Sequence, residues 1–248
     1  MDASRILITG GTSGLGLAMA RALSRAGAAV AITSRTLDRA QAVAAELGPT
    51  TVGVELDVRD ETSVLGAVDR AYEALGGLDM LVSNAGIGMI TVNPRFMTQS
   101  LPFWSVPPGG FRDVFETKVT GVFLVAREVV PRMLEGGGGR VVTISMSEST
   151  MTRRGFTPYG PSGAAVEALA RIMAADLAGT SVRANILLPG GPTATAMAPA
   201  DSGRPMLNPS IMEEPIVWLA SSAAAKVHDQ RIVARDFDAG RYSRDEER

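Results

Sequence analysis

The stretch RILITGGTSGLGLAMARALSRAG, residues 5–27, decides the fold. Residues 5–9 form a short apolar strand, and Thr9-Gly10-Gly11-Thr12-Ser13-Gly14-Leu15-Gly16 follows it directly. Beyond the turn, Leu15, Met19, Ala22, Leu23 and Ala26 recur at helical spacing, and Gly27 is placed to stop that helix. A glycine-rich turn between a strand and a helix N-terminus offers unpaired backbone N–H groups and the positive end of a helix dipole to an anion, above all a pyrophosphate. Glycine triplets are common in ordinary turns. It is the position, at the first strand-to-helix junction of an alternating chain, that makes this one specific.

The alternation continues outward. Residues 28–33 read as a strand and 37–47 as a helix that Gly48-Pro49 ends. Residues 51–56 form the next strand, Asp60 caps a helix running to Leu75, Gly76-Gly77 closes it, and residues 78–83 form a strand with no polar face. Repeating units with strands apolar on both faces predict an α/β fold: a Rossmann-like, doubly wound parallel β-sheet with helices on both faces, binding its ligand at the strands' C-terminal ends. No linker divides residues 1–248, so one dinucleotide-binding and catalytic domain is expected. Segments 87–110 and 190–209 read as irregular rims of the binding edge, and the charged tail 241–248 as frayed.

Composition removes several function classes. A net charge of −2 leaves no basic surplus for nucleic acid or an anionic membrane surface. The absence of cysteine excludes disulfides, thiol catalysis and thiolate metal sites. No run of apolar residues approaches the ~18 that span a bilayer, and the first residues lack the pattern of a leader, so a cytoplasmic location is expected.

Further motifs follow in order: Asp57-Val58 after the third strand, Asn84-Ala85-Gly86 after the fourth, Tyr159 at the start of a long helix, and Pro189-Gly190 after the sixth strand. With the TGxxxGxG spacing of residues 9–16, this ordered set resembles the short-chain dehydrogenase/reductase family across residues 4–238. The resemblance implies a hydride exchanged between a nicotinamide cofactor and a carbonyl or alcohol carbon, with Tyr159 moving the proton. It implies a cofactor held by Gly10, Thr12, Ser13, Gly14, Leu15, Gly16, Asp57, Val58, Asn84, Ala85, Gly86, Tyr159, Pro189 and Gly190, with Thr193 or Thr195 on the carboxamide.

NAD-binding units place an acid at the end of the second strand, where this chain has Ser34 followed by Arg35. A carboxylate would repel a 2′-phosphate, whereas serine and a guanidinium can bind it, so NADP(H) is expected over NAD(H). The alternative is that Arg35 is a solvated charge or stacks on adenine.

The catalytic segment departs from the family's pattern. The lysine expected four residues after Tyr159 is Gly163, the serine expected thirteen before it is Met146, and the asparagine of the preceding helix is Lys118. Ser145 and Ser147 flank Met146, and Ser147 is the preferred substitute. Lys118 is expected to supply the missing ammonium by reaching the space that Gly163 leaves; the alternative is a lysine turned to solvent in a site that has lost activity. Ordinary tyrosine titrates near ~10, so an unaided Tyr159 favours reduction over oxidation.

Phe96, Phe103, Trp104 and Phe156 with Met89, Met97, Met151 and Met197 give the rim an apolar character suited to a small apolar or cyclic substrate. The alanines at 164, 165, 168, 170, 174 and 175 are too many small residues for a solvent face, and the family resemblance implies helix pairing in a homodimer or homotetramer. The resulting expectation is an NADP(H)-dependent reductase. Two alternatives stand beside it: a catalytically silent nucleotide-binding relative, and reuse of the fold for non-redox chemistry.

Overall fold

The structure is a computed structural model that describes residues 4–197 and 205–242. Its elements in chain order are β1 (Arg5–Ile8), α1 (Gly14–Arg25), β2 (Ala29–Ser34), α2 (Leu37–Leu47), β3 (Thr51–Glu55), α3 (Glu61–Leu75) and β4 (Met80–Ser83). Next come α4 (Pro108–Phe115), α5 (Gly121–Glu135), β5 (Gly139–Ile144), the short α6 (Glu148–Met151), α7 (Tyr159–Asp176), β6 (Val182–Leu188), α8 (Glu213–Ala220) and β7 (Arg231–Val233).

The strands form one seven-stranded sheet in the order β3-β2-β1-β4-β5-β6-β7, with every pairing parallel. The chain runs outward from β1 to β3, then returns to β4 on the other side of β1. Loops leaving β1 and β4 therefore diverge, and they open a crevice at the carboxyl ends of the strands. Strand periodicity divides the core between the two faces: Ile6 and Ile8 pack with Met19, Leu23 and Ile216, while Leu7 between them packs with Val68, Leu81 and Val129. The expected doubly wound sheet is the observed one.

Local chemistry sets the element ends. Asp60 accepts from the Thr62 amide at 2.9 Å and caps α3, and Gly76 ends that helix in the left-handed region at φ 70°. Gly27, at φ 90°, follows α1 in the same way. His228, the single histidine, ties β6 to α7 by accepting from the Ala184 amide at 3.2 Å through Nδ1 and meeting the Ala174 carbonyl at 2.9 Å through Nε2.

The structure bears on three expectations about loops. Segment 87–110 is not wholly irregular: 3₁₀ turns occupy Met89–Thr91 and Phe103–Ser105, and α4 begins at Pro108. Proline reads as a breaker but is tolerated in the first helical turn, where its missing N–H has no partner to lose. In segment 190–209, Thr193 bridges to Leu207, while residues 198–204 lie outside the described residues. Of the tail, Arg241 and Tyr242 are ordered: Tyr242 packs with Phe237 and Trp218, the ring centroids lying 6.2 and 5.9 Å away. Residues 243–248 lie outside the described part.

Candidate active site

The crevice is a cleft of about 1280 Å³ running from β2 and β3 across β1 and β4 to β5, α7 and the loop after β6. That exceeds the ~300–1,000 Å³ of an ordinary small-molecule pocket and leaves room for more than one small molecule. Among the described residues, no group of three or more His, Cys, Asp or Glu is arranged to hold a metal ion.

The turn after β1 is built for close approach. Gly10 and Gly14 adopt φ 65° and 53°, a region open to glycine at no steric cost. Gly10, Thr12, Ser13, Gly14 and Leu15 line the cleft; Gly16 stands behind them. A side chain on Gly16 would place its Cβ 2.3 Å from the Gly10 carbonyl oxygen and 2.5 Å from Asn84 Nδ2, so glycine there lets α1 close on the turn. Asn84, expected as a cofactor ligand, directs its amide inward and donates to the carbonyls of Thr9 and Gly10, each at 3.0 Å. Thr9 Oγ1 reciprocates, accepting from the Asn84 and Ala85 amides at 2.9 and 3.0 Å. These bonds brace the turn from β4. Sequence reasoning left Thr9 out of the site because threonine at a strand end carries no distinctive signal.

At the adenine end of such a site, Ser34 ends β2, Arg35 follows it, and both line the cleft with Asp57, Val58 and Arg59. The Asp57 carboxylate is already engaged: Arg59 donates to it from Nε at 3.0 Å and from Nη2 at 2.7 Å, and the Arg59 amide donates at 3.0 Å. These bonds hold the Asp57 carboxyl below the usual carboxylate range. At the opposite end, Pro189 and Gly190 leave β6 with Gly190 at φ 88°. Thr195 lies against Gly14, and the buried Thr193 turns its hydroxyl to the Gly191 carbonyl at 3.1 Å.

Tyr159 opens α7 and lines the cleft beside Lys118. Lys118 lies in Glu116–Thr120, a π-helical turn closed by the Gly121 amide on the Glu116 carbonyl and continuous with α4 and α5. Its stem passes Gly86, where a Cβ would come within 3.2 Å of Lys118 Cγ, and its Nζ stands 4.5 Å from the Tyr159 ring centroid. The residue is only 9% exposed, and among the described residues the ammonium makes no hydrogen bond or ion pair. Cation–π attraction to Tyr159 offsets part of that burial.

The expectation that Lys118 fills the space beside Gly163 is corrected. Met146 fills it: a Cβ on Gly163 would lie 2.6 Å from Met146 Cε and 2.7 Å from Sδ. The absent lysine and the absent serine are therefore one packing change, a thioether laid into the gap of a glycine. Neither flanking serine bonds to Tyr159. Ser145 Oγ donates to Glu167 Oε1 at 2.7 Å, and Glu167 pairs with Arg231 at 3.0 Å. Ser147 Oγ pairs with Thr150 Oγ1 at 2.9 Å and Ser149 Oγ at 3.2 Å, though it still lines the cleft.

Beyond Tyr159, Met89, Phe96 and Phe156 form an apolar cluster against which Met97 and the tyrosine pack, with Phe96 and Phe156 edge-to-face at 5.9 Å. Met197 also lines the cleft; Phe103 and Trp104 do not, being 70% and 75% exposed. Met151 is absent from the lining as well.

The short chain dehydrogenase family model matches residues 4–204. The chain belongs to the short-chain dehydrogenase/reductase family. Within this family, the 2-dehydro-3-deoxy-L-rhamnonate dehydrogenase (NAD(+)) of Sphingomonas sp. is 36% identical over 183 residues, 74% of this chain and 70% of the relative. The cis-4-hydroxycyclohexanecarboxylate dehydrogenase of Sinomonas cyclohexanicum is 32% identical over 234 residues, 89% of this chain and 90% of the relative. A gluconate 5-dehydrogenase from Burkholderia cenocepacia, solved in complex with NADP and tartrate, superposes with a TM-score of 0.83 at 29% identity, covering 97% of this chain and 95% of that one. As a short-chain dehydrogenase/reductase the chain is an oxidoreductase with a nicotinamide-nucleotide cleft, and the glycine turn that only a chain lacking Cβ atoms can form fits that cofactor. No helix among the described residues is long and apolar enough to cross a membrane.

Proposed function

We propose that this protein reduces the carbonyl of a small apolar or cyclic compound with NADPH, and that Tyr159 is the general acid. The observation that carries the reading is Tyr159 at the floor of the cleft, with the Lys118 ammonium 4.5 Å above its ring and an apolar wall of Met89, Phe96 and Phe156 beside it. NADPH, when bound, supplies the hydride. The protein's residues do the rest. Gly10, Thr12, Ser13 and Gly14 offer backbone to the pyrophosphate, and Pro189, Gly190, Thr193 and Thr195 border the nicotinamide end. The apolar wall excludes water and orients a nonpolar body, and the Tyr159 hydroxyl donates its proton to the substrate oxygen.

Met146 supplies no hydroxyl to that oxygen, and the nearby serines are bonded elsewhere. Lys118, buried and without a polar partner among the described residues, is the second donor in this reading, holding the oxygen and stabilising charge left on Tyr159. Ser147 is the alternative donor, since it lines the cleft. The preference for NADPH rests on Ser34 and Arg35 in place of an acid after β2.

In the same reading the protein works as a homodimer or homotetramer in the cytoplasm. On α7, Ala164, Ala168, Ile172 and Ala175 are exposed along one helical face, with Ile172 at 58%. On α5, Phe123 and Leu134 are also exposed, at 47% and 40%. The reading is tested with a panel of cyclic and linear ketones, following NADPH consumption by wild type and Tyr159→Phe. Turnover that falls about 10²–10⁴-fold in the variant, with nucleotide binding retained, is expected. Nucleotide binding with no turnover on any carbonyl would favour the rival reading of a silent homologue, to which Met146 in the lysine's place lends some weight.

A further inference from the structure

Arg39, in the first turn of α2, is far from the glycine turn in sequence but not in space. Its Nε donates to Thr12 Oγ1 at 3.2 Å, and Thr12 itself is 8% exposed, so a buried hydroxyl of the phosphate loop fixes where this guanidinium lies. Both residues line the cleft together with Ser34 and Arg35.

The three arginines at this end differ in what they have left to give. Arg59 is spent on Asp57, through bonds at 2.7 and 3.0 Å. Arg35 acts on Asp57 only through space, and neither it nor Arg39 is hydrogen-bonded to a carboxylate among the described residues. Because Arg39 is held through Nε, both of its Nη groups remain as donors, and a guanidinium presents them in a fixed fork matched to phosphate oxygens. A phosphomonoester carries nearly two negative charges at neutral pH, so one guanidinium leaves it half neutralised.

We propose that Arg39, latched by Thr12, is the second arm of a two-arginine clamp on the adenosine 2′-phosphate, and that Thr12 positions it. This rests on the NADP(H) preference proposed above and adds to it a residue that no strand-end rule marks.

The test is calorimetric titration with adenosine 2′,5′-bisphosphate and with adenosine 5′-monophosphate, neither of which reaches Tyr159. Wild type, Arg35→Met, Arg39→Met and Thr12→Val are compared. The bisphosphate is expected to bind wild type at least tenfold more tightly than the monophosphate. Arg39→Met should weaken the bisphosphate tenfold or more and leave the monophosphate unchanged, and Thr12→Val should lose a smaller part of the same preference. Wild-type affinity in Arg39→Met alongside a tenfold loss in Arg35→Met would overturn the clamp and leave the NADP(H) reading standing. Equal binding of both nucleotides by wild type would overturn both.

Discussion

The two halves of the cleft are built by different means. Around the glycine turn, backbone and side chains interlock through directional bonds: Asn84 to the carbonyls of Thr9 and Gly10, and Thr9 to the amides that follow β4. Around Tyr159 the polar set that the family resemblance implies gives way to a thioether packed on a glycine and an ammonium over an aromatic face. A backbone cradle tolerates almost no substitution, because its geometry depends on missing Cβ atoms. A side-chain constellation can be rebuilt when one position compensates another across the fold. Met146 with Gly163 is such a compensation.

The largest effect expected is at the rigid half. Gly16→Val puts a branched side chain where even a Cβ meets the Gly10 carbonyl at 2.3 Å. Strain of about 1–3 kcal/mol, displaced onto the turn, should weaken NADPH binding by roughly two orders of magnitude. Fluorescence titration checks this, with far-UV circular dichroism reporting the fold. Binding within threefold of wild type would mean that the turn is more pliant than the bonding around it implies.

The compensated half predicts a non-additive pair. Gly163→Lys alone restores the family's residue but drives its Cβ into Met146, so it should be destabilised by about 1–3 kcal/mol and gain no activity. Gly163→Lys with Met146→Ser removes the obstruction and should recover most of the melting temperature, a coupling that a double-mutant cycle measures. Additive effects would dissolve the pairing of these two positions.

The smallest effect concerns the frame under the glycine turn. Burial pushes the Asp79 carboxyl up, but bonds from the Arg5 amide, Nε and Nη2 outweigh it and hold the group below the usual carboxylate range. Its folded value thus lies below its unfolded value of ~3.9, so the stabilisation is complete above that pH and is lost as pH falls through the depressed folded value. Asp57 behaves in the same sense through Arg59. Both pairs are more than a third open to solvent on at least one partner, so each is worth only about 0.2–1 kcal/mol. Asp79→Asn should lower the melting temperature by about 1–4 °C at pH 7, and the gap should begin to shrink as the pH falls below ~4. A gap that does not shrink at all as the pH falls through the acid range would assign the loss to packing.

Sequence alone made the alternating strands and helices of the doubly wound sheet legible because apolar strands, glycine stops and the Asp60 cap each act within a few residues of themselves. It also marked Lys118, Met146 and Gly163 as the places where the catalytic segment departs from its family. It did not show what those departures do to one another, since Met146 and Gly163 meet only when β5 and α7 pack. The same reason hid Arg39, which reaches Thr12 across the β1–α1 and β2–α2 junctions. Ser145 looked available from its neighbours in the chain, yet Glu167 and Arg231, distant in sequence, engage it.

The most direct measurement sets NADPH affinity and carbonyl turnover of Lys118→Met beside those of wild type. An intact cofactor half and a rebuilt catalytic half predict affinity within about threefold and turnover reduced at least 100-fold, since positioned charge and proton donors typically contribute ~10²–10⁴. Unchanged turnover in a folded variant would contradict the role assigned to Lys118 and return the oxygen's second contact to Ser147.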